Sequence, residues 1–557
     1  MAKKLSYADL QNLPECARDF IKLVIEKMRY RKKVRDEVMT ELIAHFEDEL
    51  QSCATDEEKE QKAQQLIANF GDAKLLAVLL RRAKKRCRPL WRTVAARTLQ
   101  TTGILILCFI VYLVWFFSGR PVVTVDYVAE LNRIIRPVTD DSLNAAPLYN
   151  KAVELYEEKS SDETSELLGT KYNEAAAEQK LLIEEWLNNN EEIFDLVIAA
   201  THKPHYWQEY QEADGGEGLI HILMPHLAGY RRLVYALRWR AHLRADKGRY
   251  EDAFSDIKTS YRFGQHVKGN FVLIEQLVGM AIESVAARTL RSILSKHKIN
   301  SSALAVLQKD FEQIIAGEDF VANLEKEKLL AYDEIQRCFT QDRLGGGHLY
   351  LSRVTALGGY ADCENAFNPY DEALTLIFSP KKWPAVAHFL FMHPNKRQTR
   401  EAADRYYDWA ENMVRKTPAQ IRAEGMDIEN ETTKMVEGNL LLQVLTPALG
   451  RIAELAHRTK ADIEATLTII AVLRYKQDIG SYPENLNEMV AVGYLKELPM
   501  DPWSDKPLVY KKMDDDFILY SVGPNFIDDG GEVYRDNKGR VRPWGDEGDA
   551  VFWPVRK

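Results

Sequence analysis

Apolar residues recur every three or four positions along most of this chain, the spacing of helices with one buried face. Near the start Val34, Val38, Met39, Leu42, Ile43, Phe46 and Leu50 follow it, with charged residues between them. In Ala68–Leu80 another helix is expected after Gly71, with Asp72 placed to cap it. The pattern then breaks at Leu99–Phe117, LQTTGILILCFIVYLVWFF, where no charged residue occurs. The stretch is nearly the length a bilayer requires, and Tyr112, Trp115, Phe116 and Phe117 close it as an interfacial aromatic belt does. A buried core helix normally keeps a polar side, and this one has none, so a membrane span is predicted. Almost a hundred residues precede it, which excludes a cleaved signal peptide.

From residue 125 to about 460 the helical period returns. Asp140–Glu158 predicts a helix with Asp140 and Asp141 at its start and Leu148, Ala152, Val153 and Tyr156 on its apolar face. Leu237–Gly264 predicts two helices about a Lys-Gly turn. Leu237, Ala241, Ala253 and Ile257 stand where a tetratricopeptide repeat places packing residues, whereas Arg240 and Arg244 depart from it. No clean period recurs. The expectation is an α-solenoid-like helical domain, whose helix pairs make concave binding surfaces; the alternative is an irregular bundle without a groove.

The pattern changes again at Asp462. Ile463, Leu467, Ile470 and Arg474 mark helical turns, Gly480 ends that helix, and Glu484–Val490 gives a short one. Leu508–Tyr510 and Phe517–Val522 then read as hairpin strands around Asp514, Asp515 and Asp516. The fold class is therefore mainly α in four parts. Residues 1–98 are a helical bundle, 99–118 a transmembrane helix, 119–460 a helical domain and 461–557 a small α+β domain.

Charge sets the orientation. Residues 1–98 hold 21 Lys and Arg against 15 Asp and Glu, while the whole chain carries −9. Arg81–Arg97 is dense in cations and has no acid; beyond the span only Arg120 precedes Asp126. The positive-inside rule puts residues 1–98 in the cytosol and 120–557 across the membrane, as in a single-pass protein of a bacterial inner membrane with periplasmic C-terminal domains. The basic run is explained as a topology signal touching anionic lipid, and no nucleic-acid partner is expected. Cys16, Cys53 and Cys87 would then be cytosolic, Cys108 lies in the span, and Cys338 and Cys363 would face an oxidising compartment that permits a bridge between them without requiring one. No cysteine pair has metal-ligand spacing.

Candidate chemistry is sparse. His202, His205, His221 and His226 lie close enough in sequence to meet across a hairpin, but no spacing selects a metal and the zinc-protease pattern is absent. Neither a nucleophile elbow nor a Cys-His signature occurs. The glycine-rich loop Asp342–Tyr370 lacks the Lys-Ser/Thr of a phosphate loop. The acidic loop after Gly523-Pro524 is more specific. Asp528 and Asp529 adjoin Gly530 and Gly531, and Asp546, Glu547 and Asp549 follow after Trp544. Carboxylate and carbonyl oxygens are what Ca²⁺ takes, so Asp528, Asp529, Asp546 and Asp549 are the candidate ligands. The alternative is a solvated acidic turn in which Asp536-Asn537-Lys538-Gly539 reverses the chain.

The last 95 or so residues resemble a known family. Tyr475, Gly480, Tyr482-Pro483, Leu486, Leu498-Pro499, Asp501-Pro502-Trp503, Tyr510, Tyr520-Ser521, Gly523 and Asp529-Gly530-Gly531 stand in the order found in the G-type major pseudopilins of type II secretion. The resemblance implies a long helix on a small sheet with calcium in the C-terminal loop, and supports Asp529 most directly. Pseudopilins carry their hydrophobic helix at the extreme N-terminus, whereas here it lies several hundred residues before the head. A borrowed head domain is implied, not a pilus subunit. The arrangement RDEVMTELIAHFEDEL…QLIANFGDAKLLAVLL resembles the HAAS or permease-prefix type of cytosolic helical domain, which implies an interaction module. The expected function is envelope scaffolding or binding of protein partners, around a secretion or pilus-like assembly. The opposing expectation is a hydrolase-type extracytoplasmic enzyme with its site in the helical domain.

Overall fold

A computed structural model describes residues 9–86, 90–211, 218–222, 224–269, 272–341, 346–350, 353, 391–446 and 448–555. The chain divides into two compact units, Met1–Phe117 and Ser118–Lys557.

The first unit is helical: α1 (Glu15–Lys27), α2 (Lys32–Leu50), α3 (Asp56–Phe70), α4 (Ala73–Arg86) and α5 (Leu90–Ser118). Val38, Met39, Leu42, Ile43, Phe46 and Leu50 are buried on α2 as their spacing requires, and Val34 is half-buried. The Phe70 ring lies against Phe20 and Phe46. Thr55 and Glu58 form a reciprocal capping box at the start of α3. Asp72 caps α4, accepting the Lys74 amide at 2.6 Å. Within α5, Val94–Phe116 is long and apolar enough to cross a membrane. Its aliphatic side chains stand exposed, Leu99 at 76 % and Leu105 at 64 %, as on a surface that meets a membrane or another protein.

The second unit is built of helices with small antiparallel sheets near its C-terminal end. Among the described residues its helices are α6 (Tyr127–Ile135), α7 (Ala146–Lys159), α8 (Asp162–Gly169), α9 (Ala177–Asn189), α10 (Glu191–Thr201), α11 (His226–Asp246), α12 (Tyr250–Lys268), α13 (Leu273–Lys296), α14 (Ser301–Ile314), α15 (Glu325–Cys338), α16 (Lys396–Met413), α17 (Pro418–Ala423), α18 (Ile428–Met435), α19 (Leu440–Leu445), α20 (Leu449–Ile479) and α21 (Leu486–Ala491). Asp140 and Asp141 open a short 3-10 turn, and the helix they were expected to start begins at Ala146, where Pro147 fits the first turn. The Lys-Gly turn between α11 and α12 is as the spacing predicts, with Gly248 at φ 75°. Leu237, Ala241, Ala253 and Ile257 are all buried. Arg240 and Arg244, out of pattern for a repeat, converge on the buried carboxylate of Asp256 at 2.5 and 2.8 Å. Next, α12 and α13 cross at Gly264 and Gly279. A Cβ on Gly264 would lie 2.9 Å from the Gly279 carbonyl, so two glycines are needed for the helices to approach.

The expected boundary between residues 460 and 461 falls inside α20, which runs without a break from Leu449 to Ile479. One apolar core joins its two sides. Phe254, Ile257, Leu290, Ile293 and Leu307 pack with Ile469, Val472, Phe517, Leu519 and Trp553. Gly480 ends α20 in the left-handed region, φ 92°, and α21 follows close to its expected place. Beyond it β1 (Met500–Asp501) pairs with β2 (Lys506–Pro507). The main sheet places β4 (Phe517–Ser521) between β3 (Val509–Lys512) and β5 (Ala550–Trp553), both antiparallel to it. The β3–β4 hairpin turns at the Asp514–Asp516 acids, as expected, and every residue of β4 is buried.

Candidate functional site

The loop from β4 to β5 carries the predicted ligands. Asp549 stands just before β5 and is 1 % exposed. Its carboxylate accepts the backbone amides of Gly531 at 2.6 Å and Asp529 at 3.3 Å, tying the two ends of the loop together. Gly531 sits at φ 91°, a left-handed conformation that favours glycine, and a Cβ there would press on the end of the Ile518 side chain. Asp528 accepts the Tyr520 hydroxyl at 2.6 Å and the Gly530 amide at 3.0 Å, and these bonds hold its pKa below the usual carboxylate range. Asp529 accepts the Asn525 side-chain amide at 2.7 Å. Burial pushes Asp549 up to about 6 against the two backbone amides, and the charges of Asp528 and Asp529 push the same way.

Asp528, Asp529 and Asp549 thus share one electronegative corner. Asp546 is exposed and apart from the Asp549 hydrogen bonds. Among the described residues no group of three or more His, Cys, Asp or Glu side chains is arranged to hold a metal ion. The corner has the hard oxygens and surplus negative charge that suit Ca²⁺, without a preformed ligand shell. Asp536 acts as a turn residue: it accepts the amides of Lys538 and Arg540 at 3.0 Å, and its pKa is held down to about 2 by these bonds against desolvation. Asp501 is a carboxylate that sequence reasoning quoted only as part of a motif. It is fully buried and accepts Ser521 Oγ at 2.7 Å and the Val522 amide at 3.1 Å, pinning β1 to the end of β4.

Three clefts stand out among the described residues elsewhere in this unit. One, about 490 Å³, lies between α17, the α17–α18 turn, α20 and the loop after β4, lined in part by Ile421, Met426, Ile428, Trp503, Pro524 and Phe526. The Arg422 guanidinium sits 4.5 Å over the Phe526 ring. Phe526 is held at φ 61°, a left-handed conformation that costs a bulky residue free energy. A second cleft, about 400 Å³, is lined by Gln265, Lys268, Gln276, Glu318 and Asn323. Here Lys268 Nζ lies 3.0 Å from Glu283 and also pairs with Glu318, which accepts the Tyr261 hydroxyl at 2.8 Å. Burial pushes Glu283 up to about 7, against the pull of Lys268. A third, about 310 Å³, adjoins it at Gln265 and includes His266, which burial pushes down to about 4.

Among the described side chains, His202, His205 and His226 do not meet as a metal cluster. His202 bonds its own helix at Ile198, His205 pairs through its backbone with Asn144, and His226 faces Glu275 at 3.6 Å; the His221 side chain lies outside the described residues. Cys338 is buried, and Cys363 lies outside the described residues with most of Asp342–Tyr370. Comparison with family models, curated proteins and solved structures yields no match.

Proposed function

We propose that this chain is a single-pass, membrane-anchored binding or scaffold protein, with residues 1–98 in the cytosol and the unit from Ser118 onward outside it, in a bacterial inner membrane. The cleft at the helix–sheet junction carries this reading. Its lining is mostly apolar, with Trp503 and Phe526 from the C-terminal region and Ile421, Met426 and Ile428 from the helices. Its acids are already engaged: Asp427 caps α18 and Glu454 pairs with Arg458. Such a site binds a side chain or short apolar segment better than it performs acid–base chemistry. The pseudopilin-like reading of the C-terminal region is supported by the long helix α20 lying on a small antiparallel sheet. It links the binding role to a secretion or pilus-like assembly. Calcium at Asp528, Asp529 and Asp549 would tie the tail to the sheet.

A photo-reactive residue at Met426 in membranes tests the binding role. A discrete crosslinked protein that disappears in Ile421→Glu supports it; absence of any crosslink at Met426 contradicts it. The enzymatic alternative rests on Glu283, a buried acid titrating near 7 beside Lys268 and a polar cleft. Loss of a hydrolytic activity in Glu283→Gln, with the fold retained, would favour it.

A further inference from the structure

The first unit carries an apolar surface that its own core does not cover. On α4 the inward stripe is Ala73, Ala77, Leu76 and Leu80, the first two buried and the others packed on the bundle. The opposite stripe is also apolar. Leu75 is 60 % exposed, Val78 43 % and Leu79 50 %, spaced so that they share one face. Cations border that face: Lys74, Arg81, Arg82 and Lys85 are exposed, and α4 contains no acid. Lys84 is directed elsewhere, to Glu41 of α2 at 2.5 Å. A helix with one face against its own bundle and an apolar face bordered by Lys and Arg is the pattern of an interfacial membrane helix.

Chain connectivity supplies the partner. Only three residues separate Arg86 at the end of α4 from Leu90 at the start of α5, and the apolar stretch begins at Val94. Extended chain spans at most about 14 Å between Arg86 and Leu90, and helical rise adds about 14 Å to Leu99, where the uncharged stretch begins, so α4 ends within about 28 Å of the hydrocarbon edge. The headgroup layer and a Debye length of about 10 Å occupy more than half of that distance. Trp91, 65 % exposed, stands three residues before Val94, where an interfacial indole belongs.

We propose that the outer face of α4 docks on an anionic lipid surface. Leu75, Val78 and Leu79 enter the headgroup boundary, and Lys74, Arg81, Arg82 and Lys85 meet lipid phosphates. The bundle is then held flat against the leaflet its own span crosses, not suspended on a free tether. The inference rests on Val94–Phe116 being a membrane span.

The test uses the full chain in vesicles of phosphatidylcholine alone or with about one-third phosphatidylglycerol. A nitrobenzoxadiazole label is placed at Leu79→Cys, or at Asp48→Cys on α2 as the solvent control, with all six native cysteines, Cys16, Cys53, Cys87, Cys108, Cys338 and Cys363, replaced by serine. Lipids spin-labelled in the acyl chain should quench the label at 79 about threefold more than at 48 in the anionic vesicles. Arg82→Glu with Lys85→Glu should bring the two signals together. Equal quenching at 79 and 48, with the protein still floating with the vesicles, overturns the docking and leaves the span intact. A label at 79 shielded equally in detergent and vesicles would mean a protein covers the face, which also overturns it. Failure to float with vesicles refutes the span, and the docking with it.

Discussion

Removing the Asp462 carboxylate tests whether α20 and the sheet share one core with the helices before them. Arg291 on α13 is buried, and its guanidinium donates to Asp462 Oδ1 at 3.0 Å, to the Asp462 carbonyl at 3.0 Å and to Thr466 Oγ1 at 2.8 Å. It also lies 5.5 Å from the Phe552 ring of β5. Asp462→Ala leaves a buried guanidinium without its counter-charge, at a cost of about 3–5 kcal/mol. The second unit spans about 440 residues. At about 2.1 cal/mol/K per residue its unfolding entropy is about 0.9 kcal/mol/K, so the midpoint should fall by about 3–5 °C. Arg291→Met with Asp462→Leu replaces the pair by apolar groups and should recover most of that loss. Calorimetry of the full chain in detergent measures both. A shift below about 1 °C for Asp462→Ala, or a separate early transition confined to the C-terminal region, would refute the shared core.

Other outcomes follow from the same packing. Gly279→Ala places a methyl against the Lys268 backbone, so α12 and α13 must separate, and the midpoint should fall by an amount matching about 2–3 kcal/mol. Glu283 titrates at about 7 in the fold and near 4.3 when unfolded, so its stabilisation is complete below about 4.3 and lost as pH rises through 7. The midpoint of Glu283→Gln relative to wild type should therefore rise between pH 5 and pH 8; a flat difference contradicts the burial. His266 titrates at about 4, below its unfolded value near 6.5, so its contribution is complete above about 6.5 and declines as pH falls toward 4. His266→Gln should flatten the acid limb of the stability curve. Millimolar calcium should raise the thermal midpoint of the full chain, and Asp549→Asn should abolish the rise; an unchanged wild-type midpoint would leave the acidic loop as a solvated turn.

What the sequence made legible was mostly local. The Asp72 cap, the Gly248 turn, the helix end at Gly480 and the β3–β4 hairpin each depend on a few neighbouring residues and stand as read. The helix expected from Asp140 starts later, because Asp140 spends its carboxylate on the Ser142 amide of a short turn. Long-range pairing was not legible. Arg240 and Arg244 looked like failures of a repeat until Asp256, on the next helix, supplied their charge partner. The core shared across residue 460 joins segments more than a hundred positions apart, and no periodicity encodes that. In the acidic loop, sequence proximity grouped four aspartates, but only Asp549 has its carboxylate folded back onto the amides of Asp529 and Gly531. Asp501 was passed over because its partners, Ser521 and Val522, lie some 20 residues away; the signal available was an acid fixed between Met500 and Pro502 at the head of a turn.

The central proposal is that residues 1–98 lie in the cytosol and residues 120–557 lie across the membrane. Alkaline phosphatase, which folds only outside the cytosol, reads this directly when fused either after Lys557 or before Leu99. The account predicts activity for the fusion after Lys557 and none for the fusion before Leu99. Activity in the second and not the first would invert the orientation, and equal activity in both would remove the span.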